Sequence, residues 1–136
     1  MGQLLSHQLT DGYIYTRAEL SALLGTIDAT IYTGIFQPKG YDSILLFVTG
    51  RKSTDRTQYT DRLDGDVLYW QGQMAGRKDA LIMDHEIKGI ELLVFYRNAK
   101  NEHPGSGFTY AGRFRYCSHS VGQPTNFILE RVSDPS

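Results

Sequence analysis

Ser43-Ile44-Leu45-Leu46-Phe47-Val48-Thr49 is the stretch that decides the fold class. Its apolar run shows no polar alternation, so neither face is wet, and it is too short for a buried helix. It reads as a strand buried on both faces. Outward from it, the same signals recur. Ala29 to Phe36 is rich in β-branched and aromatic residues and is broken by Gln37-Pro38-Lys39-Gly40. Downstream, Asp66 to Gln71, Ile90 to Arg97, Phe108 to Tyr116 and Asn126 to Val132 read as further strands. Alternation in the fifth strand puts Phe108, Tyr110, Phe114 and Tyr116 on one face and Arg113 and Arg115 on the other. One helix is signalled: Thr16-Arg17-Ala18-Glu19 is a capping box, and Gly25 is a natural stop after Leu24. The expected class is mainly β (α+β): a curved sheet or β-barrel of about six strands with one or two short helices, which closes most of its edges.

The chain has 136 residues, which fits one domain. Residues 1–14 read as a polar lead-in, 15–132 as the folded domain and 133–136 as a linker stub, the expectation being a piece of a larger protein. The single cysteine, Cys117, excludes an internal disulfide and reads as a small buried or half-buried apolar residue rather than a nucleophile. No basic region followed by an apolar stretch marks the N-terminus, and no run reaches the ~18 residues of a membrane span. A cytoplasmic location and no membrane partner are expected.

Net charge is −1, so a global basic excess is absent, but the charge is unevenly placed. From Gly50 to Lys78 there are six Lys or Arg against four Asp. Three polar connections, Gly50 to Leu63, Gln71 to Asp79 and Asn98 to Gly107, are long for a compact β domain, and such loops on a sheet scaffold often carry function.

The richest segment is Gln58-Tyr59-Thr60-Asp61-Arg62-Leu63-Asp64-Gly65-Asp66-Val67-Leu68-Tyr69-Trp70-Gln71-Gly72. It sets an aromatic, an aspartate two residues on, a glycine, then a strand ending in an aromatic and a glycine. Reading a base outside the duplex requires flipping it from the stack, at a cost of a few kcal/mol. Aromatic faces return about 1–3 kcal/mol each by stacking. A carboxylate offers only acceptors and suits the exocyclic amine of cytosine. Two aromatics and one Asp on adjoining elements form such a toolkit.

This segment resembles the base-pocket motif of SRA domains, the SET- and RING-associated, PUA-like domains that flip 5-methylcytosine. Aligned on the glycines, Asp61 falls on the base-reading Asp, Gly65 on the middle Gly, Trp70 on the second stacking Tyr and Gly72 on the last Gly. The first stacking Tyr falls on Gln58, with Tyr59 one residue away. A wider likeness follows the order Tyr69-Trp70-Gln71-Gly72-Gln73, Leu93 to Arg97, Phe108 to Arg113 and Pro124. It is similar to the C-terminal domain of restriction-linked superfamily II helicases, which in modification-dependent restriction enzymes is an SRA-like target reader. Departures are Gly72 and Tyr96, where that family usually has Ser and Val. The resemblance implies a base pocket of Tyr59, Asp61, Trp70 and Gly72. It implies double-stranded DNA carrying a modified base as partner, and cutting done by fused or associated nuclease or helicase domains.

A protein holding flipped DNA must neutralise phosphates, and clustered Lys/Arg on loops does so. Arg51, Lys52 and Arg56 lie in one loop, Arg77 and Lys78 in another. Gln71, Gln73 and Met74 follow the Trp70 strand and suit filling the gap left by a flipped base. Catalysis is not expected. His7, His85, His103 and His119 are scattered, no metal-ligand spacing or phosphate cradle occurs, and no cofactor is implied. One alternative is a metal-dependent nuclease built on Glu86-Ile87-Lys88 with Asp66, Asp79 or Asp84 upstream. Others are a protein-interaction module, or a reader of a different DNA modification such as phosphorothioate.

Overall fold

The computed structural model describes residues 3–25, 34–50, 62–71, 79–99, 102–120 and 126–132. Within them the strands are β1 (Ile14–Tyr15), β2 (Ile35–Phe36), β3 (Ser43–Thr49), β4 (Arg62–Asp64), β5 (Val67–Gln71), β6 (Glu91–Arg97), β7 (Phe108–Ser120) and β8 (Asn126–Arg131). The helices are α1 (Arg17–Leu24) and α2 (Asp79–Met83). All eight strands join one mixed sheet in the order β2-β3-β6-β7-β8-β5-β4, with β1 pairing β7 off that path.

The parallel pair β3–β6 is the spine, matched from Ser43↔Glu91 to Thr49↔Arg97. Parallel strands are normally covered on both faces, which explains the unbroken apolar run of β3. Its side chains divide by parity. Ile44, Leu46 and Val48 enter one core, with Leu68, Trp70, Leu92, Phe114, Phe127, Leu129 and Ile82 of α2. Leu45 and Phe47 enter the other, with Phe36, Leu93, Phe95, Phe108, Tyr110 and Leu20 of α1. Burying each such side chain contributes about 1.5–3 kcal/mol, so both faces are strongly held.

The α1 boundaries follow from its caps. Thr16 Oγ1 accepts from the Glu19 amide at 3.0 Å, and Glu19 Oε1 accepts from the Thr16 amide at 2.8 Å. Gly25 ends the helix at φ 68°, in the left-handed region. The N-terminal 3-10 turn, Leu5–Gln8, docks through Glu91. The Ser6 amide (3.0 Å) and Ser6 hydroxyl (2.6 Å) both donate to its carboxylate. The buried Ser43 hydroxyl donates to it as well, at 2.6 Å, and accepts from the Leu5 amide at 3.0 Å.

The expected mainly β class with two short helices holds, and of its two expected forms, curved sheet or barrel, the closed one is not adopted; the strand count and the faces of β7 are corrected. Among the described residues the sheet has eight strands rather than six, because β1 and β4 are too short to show a periodicity. It is not closed into a barrel: its path ends at β2 and β4, which do not pair. The aromatics of β7 do not share one face. Between Val94 and Phe95 of β6 the register slips, Val94 facing Gly112 and Phe95 facing Tyr110. The extra residue, Ala111, beside Gly112 at φ 106°, forms a bulge that turns the strand over. Phe108 and Tyr110 therefore face the α1 core, while Phe114 and Tyr116 face the α2 core.

Candidate nucleic-acid interface

The β4–β5 hairpin positions the one described residue of the expected base pocket. Asp64 pairs with Val67 across the two-residue loop Gly65-Asp66. Gly65 sits at φ 63°, a value such loops reserve largely for glycine. Arg131 ties this turn to the end of β8: its amide donates to the Asp66 carbonyl at 2.7 Å and its Nη1 to the Asp66 carboxylate at 2.8 Å. The inward side of β5 then carries Leu68 and Trp70. Trp70 is only 5% exposed, and its ring stacks on Phe127 at 5.4 Å and 28°. It is a core residue as well as a wall of the neighbouring cleft. Gln71, next along, donates from Nε2 to Asn126 Oδ1 at 3.0 Å.

Register places this strand end in the sheet: Gln71 lies opposite Asn126, and Asn126 opposite Ser120. A cleft of about 430 Å³ opens here, within the ~300–1,000 Å³ of ligand sites. Trp70, Phe127 and Tyr69 give it aromatic walls, and Ser118, His119 and Asn126 a polar rim. No acidic side chain is among its described lining residues. A larger hollow of about 480 Å³ contrasts with it. Asp11 and Glu102 line that one, and its Arg131 is engaged by Asp66. Glu102 is held below the usual carboxylate range, chiefly because the Asn98 amide and then the Asn98 side chain donate to it. It therefore stays anionic, and two carboxylates disfavour a polyanion there. The 430 Å³ cleft is the better nucleic-acid candidate.

Of the residues singled out in the sequence, Trp70 and Gln71 fall at this cleft. Tyr59, Asp61, Gly72, Arg51, Lys52, Arg56, Gln73, Met74, Arg77 and Lys78 lie outside the described residues. The chain segments carrying Asp61 and Gly72 join the described fold at Arg62 and Gln71, the same open end of the β4–β5 hairpin. Glu86 and Lys88 sit exposed in the turn after α2. Among the described residues no group of three or more His, Cys, Asp or Glu could hold a metal ion. Cys117, expected to be buried or half-buried, is exposed at a second bulge of β7. Partial burial, then the Glu130 charge, pushes its thiol up, away from the reactive thiolate.

Sequence reasoning missed His119, Ser118, Ser120 and Asn126. They sit on exposed strand ends with no apolar period to mark them. Buried His85, one of the scattered histidines, is structural: its Nδ1 lies 2.8 Å from the Ile90 carbonyl, and its Nε2 accepts from the Tyr116 amide at 3.2 Å. That amide lies past Phe114, the last β7 residue before it to pair with β6.

No protein-family model and no curated protein matches the chain. Solved structures do match in fold. The SUVH5 SRA domain in complex with hemi-methylated CG DNA is similar over 100% of this chain and 96% of its own, with TM-score 0.61 and 19% identity. The same domain with methylated CHH DNA is similar over 94% and 97%, with TM-score 0.53 and 18% identity. The modification-dependent restriction endonuclease TagI is similar over 92% of this chain, with TM-score 0.57 and 19% identity. The chain spans 50% of the TagI chain. The fold is SRA-like, a mainly β mixed sheet with two short helices. No described helix is long and apolar enough to cross a membrane.

Proposed function

We propose that this chain is a reader of modified DNA, which draws a modified cytosine from the duplex into a pocket formed by Tyr59, Asp61, Trp70 and Gly72. The observation that carries this reading is the likeness in fold, over the whole chain, to an SRA domain bound to methylated DNA. The aromatic-walled cleft at Trp70, whose described lining residues include no acidic side chain, supports it. In this reading Asp61 accepts from the exocyclic amine and the aromatic faces stack on the ring. Arg51, Lys52, Arg56, Arg77 and Lys78 neutralise phosphates on either side, and Gln71, Gln73 and Met74 occupy the gap left in the duplex. The chain itself is not an enzyme. It serves a modification-dependent restriction or defence activity whose nuclease lies in another domain or partner, which is supported by its spanning half of the TagI endonuclease.

The test is a salt-controlled binding titration against duplexes that differ only in one base: cytosine, 5-methylcytosine or 5-hydroxymethylcytosine, with a phosphorothioate duplex beside them. A 5-substituent against an apolar wall gives a preference of about 1–3 kcal/mol. Asp61→Ala should abolish that preference, whereas Arg51→Ala should weaken all duplexes about equally. Equal binding of modified and plain duplexes by the unaltered chain removes the reading.

A further inference from the structure

β7 continues four residues past Tyr116, and the way it does so is specific. Tyr116 faces Leu129 and Ser118 faces Ile128, so Cys117 is an extra residue in the strand. The bulge brings His119 opposite Phe127, with ring centroids 6.1 Å apart. Tyr116 packs edge-on against the same Phe127 at 6.3 Å. The Tyr116 hydroxyl and His119 Nδ1 are 2.6 Å apart.

A Tyr116 phenol that donates to Nδ1 leaves the ring's own hydrogen on Nε2. His119 is exposed and lines the cleft. Ser118 and Ser120 also line it, but their hydroxyls rotate and act as donor or acceptor as needed. Asn126 Oδ1 is engaged by Gln71. The imidazole is the described lining ring whose Nδ1 is already engaged, which leaves Nε2 for a ligand.

We infer that His119 is a specificity-determining residue of this cleft, its Nε2–H held by Tyr116 to donate to a ring acceptor of the incoming base. For cytosine and its 5-substituted forms those acceptors are N3 and O2. Tyr116 acts through His119 and is a positioning residue. The inference rests on the reading of the chain as a modified-base reader and adds to it the group that meets the acceptor edge.

Three variants separate the roles. His119→Phe keeps a ring against Phe127 and removes the donor. His119→Gln puts an amide N–H near the position of Nε2. Tyr116→Phe keeps the packing on Phe127 and removes the hydroxyl. Each is measured by fluorescence anisotropy at one salt concentration, against a duplex with a single 5-methylcytosine and its unmethylated twin. Thermal melts confirm that each variant is folded.

His119→Phe should weaken the methylated duplex roughly tenfold and leave the unmethylated one, which is held through its backbone with no base in the cleft, unchanged. His119→Gln should recover most of that loss, and Tyr116→Phe should fall between. Equal weakening on both duplexes assigns the donor to a backbone phosphate and overturns the inference, as does an unchanged preference in His119→Phe. An unaltered chain that binds both duplexes alike sinks the reader hypothesis and this inference together. One that prefers the methylated duplex while His119→Phe does too sinks the inference alone.

Discussion

Trp70→Leu is the substitution that best separates a core tryptophan from a base-stacking one. It keeps an apolar branch in the core and removes the flat indole. Trp70 is 5% exposed and stacks on Phe127 at 5.4 Å, among Leu68 and Leu129. Truncating a buried Trp to Ala costs about 3–5 kcal/mol, and leucine refills part of the space, so about 2–3 kcal/mol should be lost. A domain stability of about 5–15 kcal/mol absorbs that and leaves the variant folded. At roughly 3–5 °C per kcal/mol for a chain of this size, Tm should fall by roughly 6–15 °C. Binding carries the functional answer. A stacking face is worth about 1–3 kcal/mol. Phe127 already covers much of the indole, so the lower end applies: about fivefold weaker binding of the modified duplex, at ~1.4 kcal/mol per decade. The plain duplex should bind as before. Thermal melts and anisotropy titrations, both at one salt concentration, measure the two effects side by side. A folded variant with full affinity for the modified duplex would falsify the assignment of the base to this cleft, and so would equal losses on both duplexes.

Glu91→Ala removes the acceptor of the Ser6 amide, the Ser6 hydroxyl and the buried Ser43 hydroxyl. Urea unfolding should show about 2–4 kcal/mol lost with the m-value unchanged; a loss under about 0.5 kcal/mol would mean the N-terminal turn is not anchored there. Gly112→Ala should cost about 1–3 kcal/mol from backbone strain at φ 106°, since the nearest atom to the new Cβ, on Asp11, is an ordinary 3.7 Å away. Wild-type stability in that variant would show that the bulge relaxes freely. Glu102, whose folded carboxyl lies below its ordinary value, adds stability above the unfolded value of ~4.3 and loses it as pH falls through the lower folded one. Amide shifts of Asn98 followed from pH 6 to pH 2 should titrate below that ordinary value; a midpoint at or above it contradicts the hydrogen bonds from Asn98.

Much of the fold was legible because local physics and tertiary packing agree. Ser43–Thr49 reads as a doubly buried strand and is one, because it pairs in parallel with β6 and both of its faces are covered. The capping box at Thr16 and the stop at Gly25 fix α1 to the residue. The misses share a cause. β1 is a two-residue strand and β4 a three-residue one, too short for any period. Cys117 to Ser120 extend β7 through hydrogen bonding to β8 while remaining exposed, so hydrophobicity ends at Tyr116 and the strand does not. A bulge has no binary pattern of its own, and one inserted residue moves every side chain beyond it to the opposite face. Of the site, the sequence pointed to Trp70 through its place in a motif. It was silent on His119, whose role depends on a hydroxyl three residues away that only register brings into contact.

The two irregularities of β7 give the cleft its position. This 13-residue strand serves both halves of the sheet: its first part pairs with β1 and β6, its last part with β8. A regular strand would keep one face toward one core throughout. Yet Phe108 and Tyr110 belong to the α1 core, and Phe114 to the α2 core. The bulge at Ala111-Gly112 resolves that conflict by rolling the strand over once. The second, at Cys117, rolls it again, after the core contacts of Tyr116 are made. Side chains alternate faces with a period of two, so without Cys117 each residue beyond it would change sides relative to β8. His119 would then lose its place opposite Phe127, and with it the hydroxyl of Tyr116. The conformation that serves packing at one end of β7 therefore sets the chemistry at the other, which is why the cleft lies where regular pairing gives way and not at the centre of the sheet.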